Sequence, residues 1–416
     1  MTRHADILGN IPGPSPRPVS LRVMPAAERA IRQGHPWVFD QAIAEQNHTG
    51  CTGDLAVIYH RRDRRFLAIG LFDPDSNIRV RILHRGKPAT IDQAWFNEAI
   101  KEKIARRDSI EPTGTTGYRL IHGENDQLPG LIVDRYDKTL VIKIYTAAWI
   151  PHLDSIMSAL SNACDFERVV IRLSRSLQDQ PGNLHGLTDG MIIIGESLDA
   201  PVLFKENDLT FEADPIRGHK TGFFLDQRDN RSRIEPLAEG KDVLNVFAYS
   251  GGFSLYAARG GAKRVVSLDI SQPALDAANR HFALNQNQPG VSNAKHETIC
   301  ADAFETLANM AKEQRSFDLV IIDPPTFATK HAQVDRAIAA YERLTCLGLR
   351  VLNPGGTIAL ASCSSRIDNE TFFQTVHRAA RSIDRPLNEL ERTGHAIDHP
   401  IGFKEGSYLK CLFATA

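Results

Sequence analysis

A chain of 416 residues is longer than one hydrophobic core usually serves, and its make-up, 42% hydrophobic and 24% charged, is that of ordinary folded protein, so two or three domains are expected. No uninterrupted apolar run is long enough to cross a bilayer and the start, MTRHADILGNIPGPSPRPVS, lacks the apolar core of a secretion signal, which predicts a cytoplasmic protein without a membrane partner. The six cysteines, Cys51, Cys164, Cys300, Cys346, Cys363 and Cys411, include no Cys-x-x-Cys pair, which argues against a disulfide framework and a zinc site; no metal is expected.

A net charge of −1 exerts no global pull on nucleic acid, but the charge is uneven. Residues 1–90 hold 13 Lys and Arg against 8 Asp and Glu, about +5, which leaves about −6 for the remainder. Much of the excess sits in HRRDRRF, from His60 to Phe66, and NIRVRILHRGK, from Asn77 to Lys87. Such runs are read either as a solvated face or as a surface for phosphates.

In chain order, residues 1–18 are rich in Pro, Gly and polar residues without periodicity and read as a mobile tail. Residues 19–90 carry one helical start, PAAERAIRQ, and short β-like runs, DLAVIYH, FLAIGLF and IRVRIL, the pattern of a small β-rich module. Residues 91–204 open with a connecting helix, IDQAWFNEAIKEKIARRDSI, and continue as a compact α+β segment through YRLIHGENDQLPGLIVDRY, WIPHLDSIMSALSNA, RVVIRL and MIIIGES. In residues 205–416 strand-like runs alternate with helical ones, which predicts a parallel, doubly wound sheet with helices on both faces.

Three stretches of this last part carry chemistry. In DVLNVFAYSGGFSLYAARGG an apolar strand enters Gly251-Gly252 and then a helix, the context in which glycine lets backbone approach a ligand. Asp269 ends the next strand, 18 residues beyond Gly251, where a carboxylate can accept from both hydroxyls of a ribose. There is no G-x-G-x-x-G to cradle a pyrophosphate, so a nucleoside without phosphates fits better. Asp302 ends the following strand-like run, placed to accept from an adenine amino group beside Ala303 and Phe304. Asp269 and Asp302 are equally of the type that caps helix N-termini.

In DPPTF the two prolines cannot continue a ladder, so Asp323 is presented at the carboxyl edge of the sheet, with Phe327 able to stack on a flat base. LASCSSRID places Cys363 where an apolar run stops, on the same edge; a strand-end cysteine is otherwise a small buried apolar residue.

NVFAYSGGFSLYAARGGAKRVVSLDIS, DPPTF, SCS, HKTGFFLDQRDNR, YRLIHGENDQLPGLIVDRY and DHPIGFKEGSYLK, in that family's order, resemble the RlmI-type 23S ribosomal RNA cytosine-C5 methyltransferases; RAIRQGHPWVFDQAI is similar to the start of that family's PUA domain. The resemblance covers everything after the tail. It implies a PUA-like RNA-binding domain over 19–90, a central α/β domain over 91–204, and a Rossmann-like methyltransferase domain over 205–416 that uses S-adenosylmethionine (SAM). Phe247, Tyr249, Ser250 and Gly251 would surround the methionine part of SAM, Asp269 the ribose and Asp302 the adenine. Gln227 and Arg231 would reach the cofactor carboxylate or an RNA phosphate, Phe327 would meet the base, and Asp323 and Cys363 would be catalytic. The implied partner is large-subunit ribosomal RNA; whether the chain forms a homodimer is left open.

Cytosine C5 is a poor nucleophile, and a thiolate adding to C6 makes it carbanion-like, so this chemistry needs a cysteine beside the methyl group. Many cytosine RNA methyltransferases carry a second cysteine directly after the proline of the DPP-like motif to assist product release; Thr326 stands there, as the RlmI type also lacks it. DPPTF is found too in a group that methylates guanine at N7 and lacks the cysteine after the last strand, so Cys363 discriminates the two. Two further readings are a non-catalytic RNA-binding or ribosome assembly factor and a small-molecule methyltransferase; the intact motifs oppose the first, the PUA-like module the second.

Overall fold

The computed structural model describes residues 5–179, 181–218, 220–328 and 330–416. Two compact units divide the chain. One takes the residues up to Asp208, Glu212–Leu225 and Asp398–Gly406; the other takes Leu209–Phe211, Asp226–Ile397 and Ser407–Ala416.

The first unit holds two larger sheets, beside the short pairing of Val202–Glu206 with Leu209–Ala213. Six short strands lie in the spatial order Trp37–Phe39, Ile78–Arg85, Phe66–Phe72, Leu55–Tyr59, Val19–Val23 and Ile43–Gln46, around a core that includes Leu21, Ile58, Val80 and Ile82. Five more lie in the order Met191–Ile194, Arg168–Leu173, Thr139–Ile144, Leu131–Tyr136 and Gly117–His122; the helices Gln93–Ala105 and Leu153–Ala163 pack together and share this sheet's core. Residues 19–90 and 91–204 thus have sheets of their own yet fall in one unit. Trp37 Nε1 donates to Glu124 (3.0 Å), the Thr146 hydroxyl to Asp73 (2.6 Å) and His152 Nε2 to the Gly53 carbonyl (2.7 Å).

Two features depart from the sequence reading. Within the expected tail, Ala5–Gly9 is helical, and Ile7 and Leu8 of this helix and Ile11 just after it pack against the larger core; residues 1–4 lie outside the described residues. Further on, residues 205–416 do not all belong to one unit. Thr221 donates to Asp134 (2.5 Å), the Phe223 N–H to the Tyr136 hydroxyl (3.1 Å), the Arg119 N–H to Asp398 (2.8 Å) and the Gly402 N–H to Asn125 (2.7 Å), which ties 212–225 and 398–406 to the first unit.

The second unit is a seven-stranded sheet: β1 (Asp242–Val246), β2 (Arg264–Asp269), β3 (Lys295–Cys300), β4 (Phe317–Ile322), β5 (Leu352–Ser362), β6 (Asn388–Thr393) and β7 (Lys410–Thr415). The spatial order is β3-β2-β1-β4-β5-β7-β6, with β7 antiparallel to both of its neighbours and the other neighbouring pairs parallel. The central strands are buried on both faces, which is why VLNV, VVSL and LVII read as continuous apolar runs rather than alternating ones. Helices α1 (Gly252–Arg259), α2 (Gln272–Leu284), α3 (Ala303–Lys312), α4 (Val334–Arg350) and α5 (Asn369–Ser382) supply the crossovers. Strand order reverses between β1 and β4, and ligands of open α/β sheets bind in the crevice outside the carboxyl ends at such a switch point.

Candidate active site

The turn after β1 is strained and held from several sides. Phe247 (φ 59°) and Tyr249 (φ 47°) take left-handed conformations, each costing about 1–2 kcal/mol for a residue with a side chain, and Gly251 (φ 74°) follows. The Ala248 N–H donates to the Leu268 carbonyl (3.0 Å) and the Tyr249 N–H to Asp269 Oδ2 (2.8 Å), while buried His281 donates through Nδ1 to the Ser250 carbonyl (2.7 Å). A Cβ on Gly251 would lie 2.7 Å from the Ala278 Cβ, so glycine is required for the approach of α2 as well as for its φ.

The two acidic strand ends differ. Asp269 is not a helix cap: Ser271 caps α2, and Asp269 instead accepts from Tyr249 with one oxygen and from the Ser271 N–H with the other (2.9 Å). Each carboxylate oxygen accepts two bonds, so both retain capacity for a ligand hydroxyl. Asp302 is a helix cap, its Oδ1 taking the Glu305 N–H (3.0 Å), and it is exposed, with Oδ2 left as the acceptor for a ligand. Ile270, directly after Asp269, is 73% exposed, an apolar surface that sequence reasoning passed over.

Gln227 is buried, its Oε1 accepting from Asn230 (2.6 Å). Arg231 is 3% exposed and its side chain packs against Gly252, where a Cβ would sit 2.9 Å from the arginine Cδ. The guanidinium is thus shut in beside the glycine turn and does not lie on an open surface. A correction concerns NIRVRILHRGK. Arg81 is buried, donates to the Ile78 carbonyl (3.1 Å) and faces Asp73 (3.9 Å), so it is no part of a phosphate-facing surface; residues 61–65 of HRRDRRF are exposed.

On the other side of the switch point, β4 is followed by Asp323, whose N–H reaches back to the Val246 carbonyl (3.4 Å). Cys363 follows β5, with Sγ 3.0 Å from the Thr326 hydroxyl and 3.8 Å from the Pro324 carbonyl, while Thr326 also donates to the Cys363 carbonyl (3.3 Å). The cysteine and the Asp-Pro-Pro-Thr turn, 37 residues apart for the Thr326 pair, are therefore in contact. The serines of SCS explain the local geometry: Ser362 and Ser364 are fully buried, Ser362 bonded to the Tyr341 hydroxyl (2.8 Å) and Ser364 donating to the Ala328 carbonyl (3.4 Å), while Cys363 between them is only half-buried. Phe327 is half-buried against Tyr341, ring centroids 5.2 Å apart, and Phe304 at 6.4 Å.

Two groups beside the cysteine escaped sequence reasoning. Burial raises the Tyr341 phenol well above its usual value. Lys410, 1% exposed at the start of β7 opposite Ser362, donates through Nζ to the carbonyls of Ser364 (2.6 Å) and Ile367 (2.5 Å), and burial lowers its ammonium to about 8. Its signal was present in SYLK, but a lysine in a strand reads as solvent-facing.

The crevice therefore offers, on one side, a carboxylate pair and an apolar face with no phosphate cradle, which suits a nucleoside bearing hydroxyls, and on the other a thiol in contact with a stiff acidic turn. A family model described as S-adenosylmethionine-dependent methyltransferase matches residues 188–402, and one described as PUA-like domain matches residues 21–85. A curated "Ribosomal RNA large subunit methyltransferase" from Deinococcus radiodurans is 48% identical over 97% of this chain and 98% of its own. "Ribosomal RNA large subunit methyltransferase I" proteins include one from Photobacterium profundum, 37% identical over 94% of this chain and 98% of its own. The chain belongs to this family of SAM-dependent methyltransferases. Solved structures share the methyltransferase fold: a protein from Streptococcus mutans assigned as a SAM-dependent methyltransferase (TM-score 0.78, 21% identity, 95% of this chain and all of that one), and one assigned as a methyltransferase in complex with SAH (TM-score 0.80, 21% identity, the same coverage). As a family member the chain uses SAM, and the phosphate-free donor set at the switch point fits that cofactor.

Proposed function

We propose that this methyltransferase forms 5-methylcytosine in large-subunit ribosomal RNA through a transient covalent bond from Cys363 to C6 of the target base. The observation that carries the reading is the 3.0 Å approach of the Cys363 sulfur to Thr326 of the Asp-Pro-Pro-Thr turn, which supports it by bringing a thiol and a carboxylate-bearing turn together at the carboxyl edge of one sheet. The names of the curated relatives support ribosomal RNA as the substrate class.

In this reading Phe247, Tyr249, Ser250 and Gly251 line the methionine part of the cofactor, Asp269 accepts from the ribose and Asp302 from the adenine, with Gln227 and Arg231 near the carboxylate. Bound SAM supplies an electrophilic methyl group. The Cys363 thiolate adds to C6, forming a C–S bond and leaving C5 electron-rich; Asp323 hydrogen-bonds the N3/N4 edge and stabilises charge that develops on the ring. After methylation, loss of the C5 proton to a base restores the double bond and expels the thiolate. Phe327 is assigned to the base, which is splayed out of its helix to reach the crevice, while the exposed arginines of HRRDRRF meet the RNA backbone.

The test is nucleoside mass spectrometry of large-subunit ribosomal RNA from cells lacking this gene, complemented with wild type or Cys363→Ala. Loss of 5-methylcytidine restored by wild type alone is the expected result. Loss of 7-methylguanosine that the cysteine variant restores would overturn the proposal and make Cys363 a packed strand-end thiol.

A further inference from the structure

We infer that Lys410 and Thr326 together hold Cys363 as a thiolate, Lys410 as a buried cation behind the residue and Thr326 as a hydroxyl donor at the sulfur. The inference rests on the covalent reading of Cys363 for its purpose, but not for its physics.

Lys410 is the less expected of the two. A lysine at 1% exposure gives up most of its hydration, and its ammonium is held by the carbonyls of Ser364 and Ile367, which bracket the turn just after the cysteine. Carbonyls compensate only part of the lost hydration of a buried cation; a nearby anion compensates more. Among the described residues, the titratable and charged groups facing this turn from the packed elements include Lys410 on β7, Asp323 just after β4, Tyr341 on α4 and Asp368 at the N-cap of α5. Asp368 is already engaged with the Thr371 N–H (2.8 Å), which keeps its carboxyl below the usual range. Both carboxylates oppose a negative sulfur. Lys410 opposes them, and a thiolate at Cys363 in turn favours the charged form of the lysine.

Thr326 contributes through one proton with two destinations. While Cys363 is a thiol, the Thr326 hydroxyl donates to the Cys363 carbonyl (3.3 Å) and accepts from the S–H at 3.0 Å. When the thiol proton leaves to solvent, the same hydroxyl rotates to donate to the sulfur. A hydrogen bond to the charged form favours that form. This gives a role to the residue that replaces the second cysteine of other cytosine methyltransferases.

Lys410 acts through the field at Cys363, as a positioning residue, so the readout is ionisation of the sulfur rather than turnover. The full-length protein is alkylated with iodoacetamide over a range of pH and the Cys363 peptide is quantified by mass spectrometry, the exposed Cys51 and Cys300 serving as internal references. Wild-type Cys363 is expected to react with a midpoint below the ordinary thiol value of about 8.5. Lys410→Met should raise that midpoint by about one pH unit, roughly a tenfold loss of thiolate near neutrality, and Lys410→Arg should restore most of it. Thr326→Val should raise it by a smaller amount and Thr326→Ser should not. An unchanged midpoint in Lys410→Met or Thr326→Val, in protein that still binds SAM, overturns the inference; if Lys410→Met is insoluble, the near-isosteric change at exposed Thr326 decides. The two readings fail separately: shifted midpoints in an enzyme whose Cys363→Ala variant still methylates remove the covalent mechanism and leave this inference, whereas unshifted midpoints in an enzyme that needs Cys363 remove this inference alone.

Discussion

The Tyr249 N–H donates to Asp269 Oδ2 at 2.8 Å, so the carboxylate that ends β2 also anchors the strained turn that follows β1. One side chain thus shapes the cofactor loop and, in the proposed reading, holds the ribose. Asp269→Ala is expected to weaken SAM affinity by about 1–3 kcal/mol, the range for a lost hydrogen bond to a charged group, and to loosen the turn as well. Asp269→Asn keeps an acceptor oxygen and should fall between. Isothermal titration with SAM checks both, and wild-type affinity in the alanine variant would remove Asp269 from the cofactor site.

Gly251→Ala tests the turn from the other side. At φ 74° a side chain is strained, and the added Cβ would meet the Ala278 Cβ at 2.7 Å, closer than carbon atoms pack. Overpacking of this kind costs about 1–3 kcal/mol, here added to the left-handed backbone strain. The denaturation midpoint should drop and SAM affinity fall with it; Gly240→Ala, at a left-handed glycine whose Cβ would meet nothing, separates the steric share from the backbone share.

That these residues lie along one edge was legible because a parallel sheet brings successive strand ends to one side, so Gly251, Asp269, Asp302, Asp323 and Cys363 needed only to end or follow strands to line the carboxyl edge. What a side chain does there was less legible. Asp302 and Asp269 read alike, yet one caps a helix and the other clamps a turn, a difference set by which residue precedes each helix in space. Arg81 read as part of a basic run and Arg231 as a group reaching the cofactor carboxylate or an RNA phosphate; both are buried, because an arginine stem packs as readily as an aliphatic one when its head finds partners. The return of 212–225 and 398–406 to the first unit depends on bonds such as Arg119 to Asp398, 279 residues apart, which leave no local pattern.

That long-range network makes a stability prediction. Arg107 and Asp126 form a two-pronged pair (2.6 and 3.2 Å) with side chains 2% and 0% exposed, and Asp126 also takes the His122 N–H (2.7 Å). Asp126→Asn would leave a buried guanidinium without its counter-charge, a change that costs about 3–5 kcal/mol. Chemical denaturation followed in the first unit should show an early transition; a loss under about 1 kcal/mol would mean the pair is solvated in practice.

The exposed turn bearing Arg61, Arg62, Arg64 and Arg65 is where the RNA backbone is expected. Replacing all four with glutamine should weaken RNA binding at low salt and leave SAM affinity alone. The dependence of log affinity on log salt should flatten by about 0.7–0.9 for each phosphate no longer neutralised. Because Arg65 is already paired with Asp63 (2.6 Å), Arg65→Gln alone should do least. A salt dependence identical to wild type in the fourfold variant would make this turn an ordinary solvated face.

Burial of Lys410 has a consequence for stability that turnover assays do not see. Its folded-state value is lowered to about 8 from the usual 10.5, so between those values the unfolded chain binds a proton that the folded chain does not. Stability contributed through this group therefore rises with pH across that window, and the burdened, charged form is the one present at neutrality. The full swing is up to about 3 kcal/mol. Lys410→Met removes the titrating group, and its loss of two carbonyl hydrogen bonds does not depend on pH. Urea denaturation at neutral and at alkaline pH should then show wild type gaining on the variant as pH rises, the variant comparing best near neutrality, where it lacks the buried charge. Equal pH dependence in the two proteins would mean that Lys410 keeps its solution value, and that the ammonium at the back of Cys363 is hydrated well enough to need no anion.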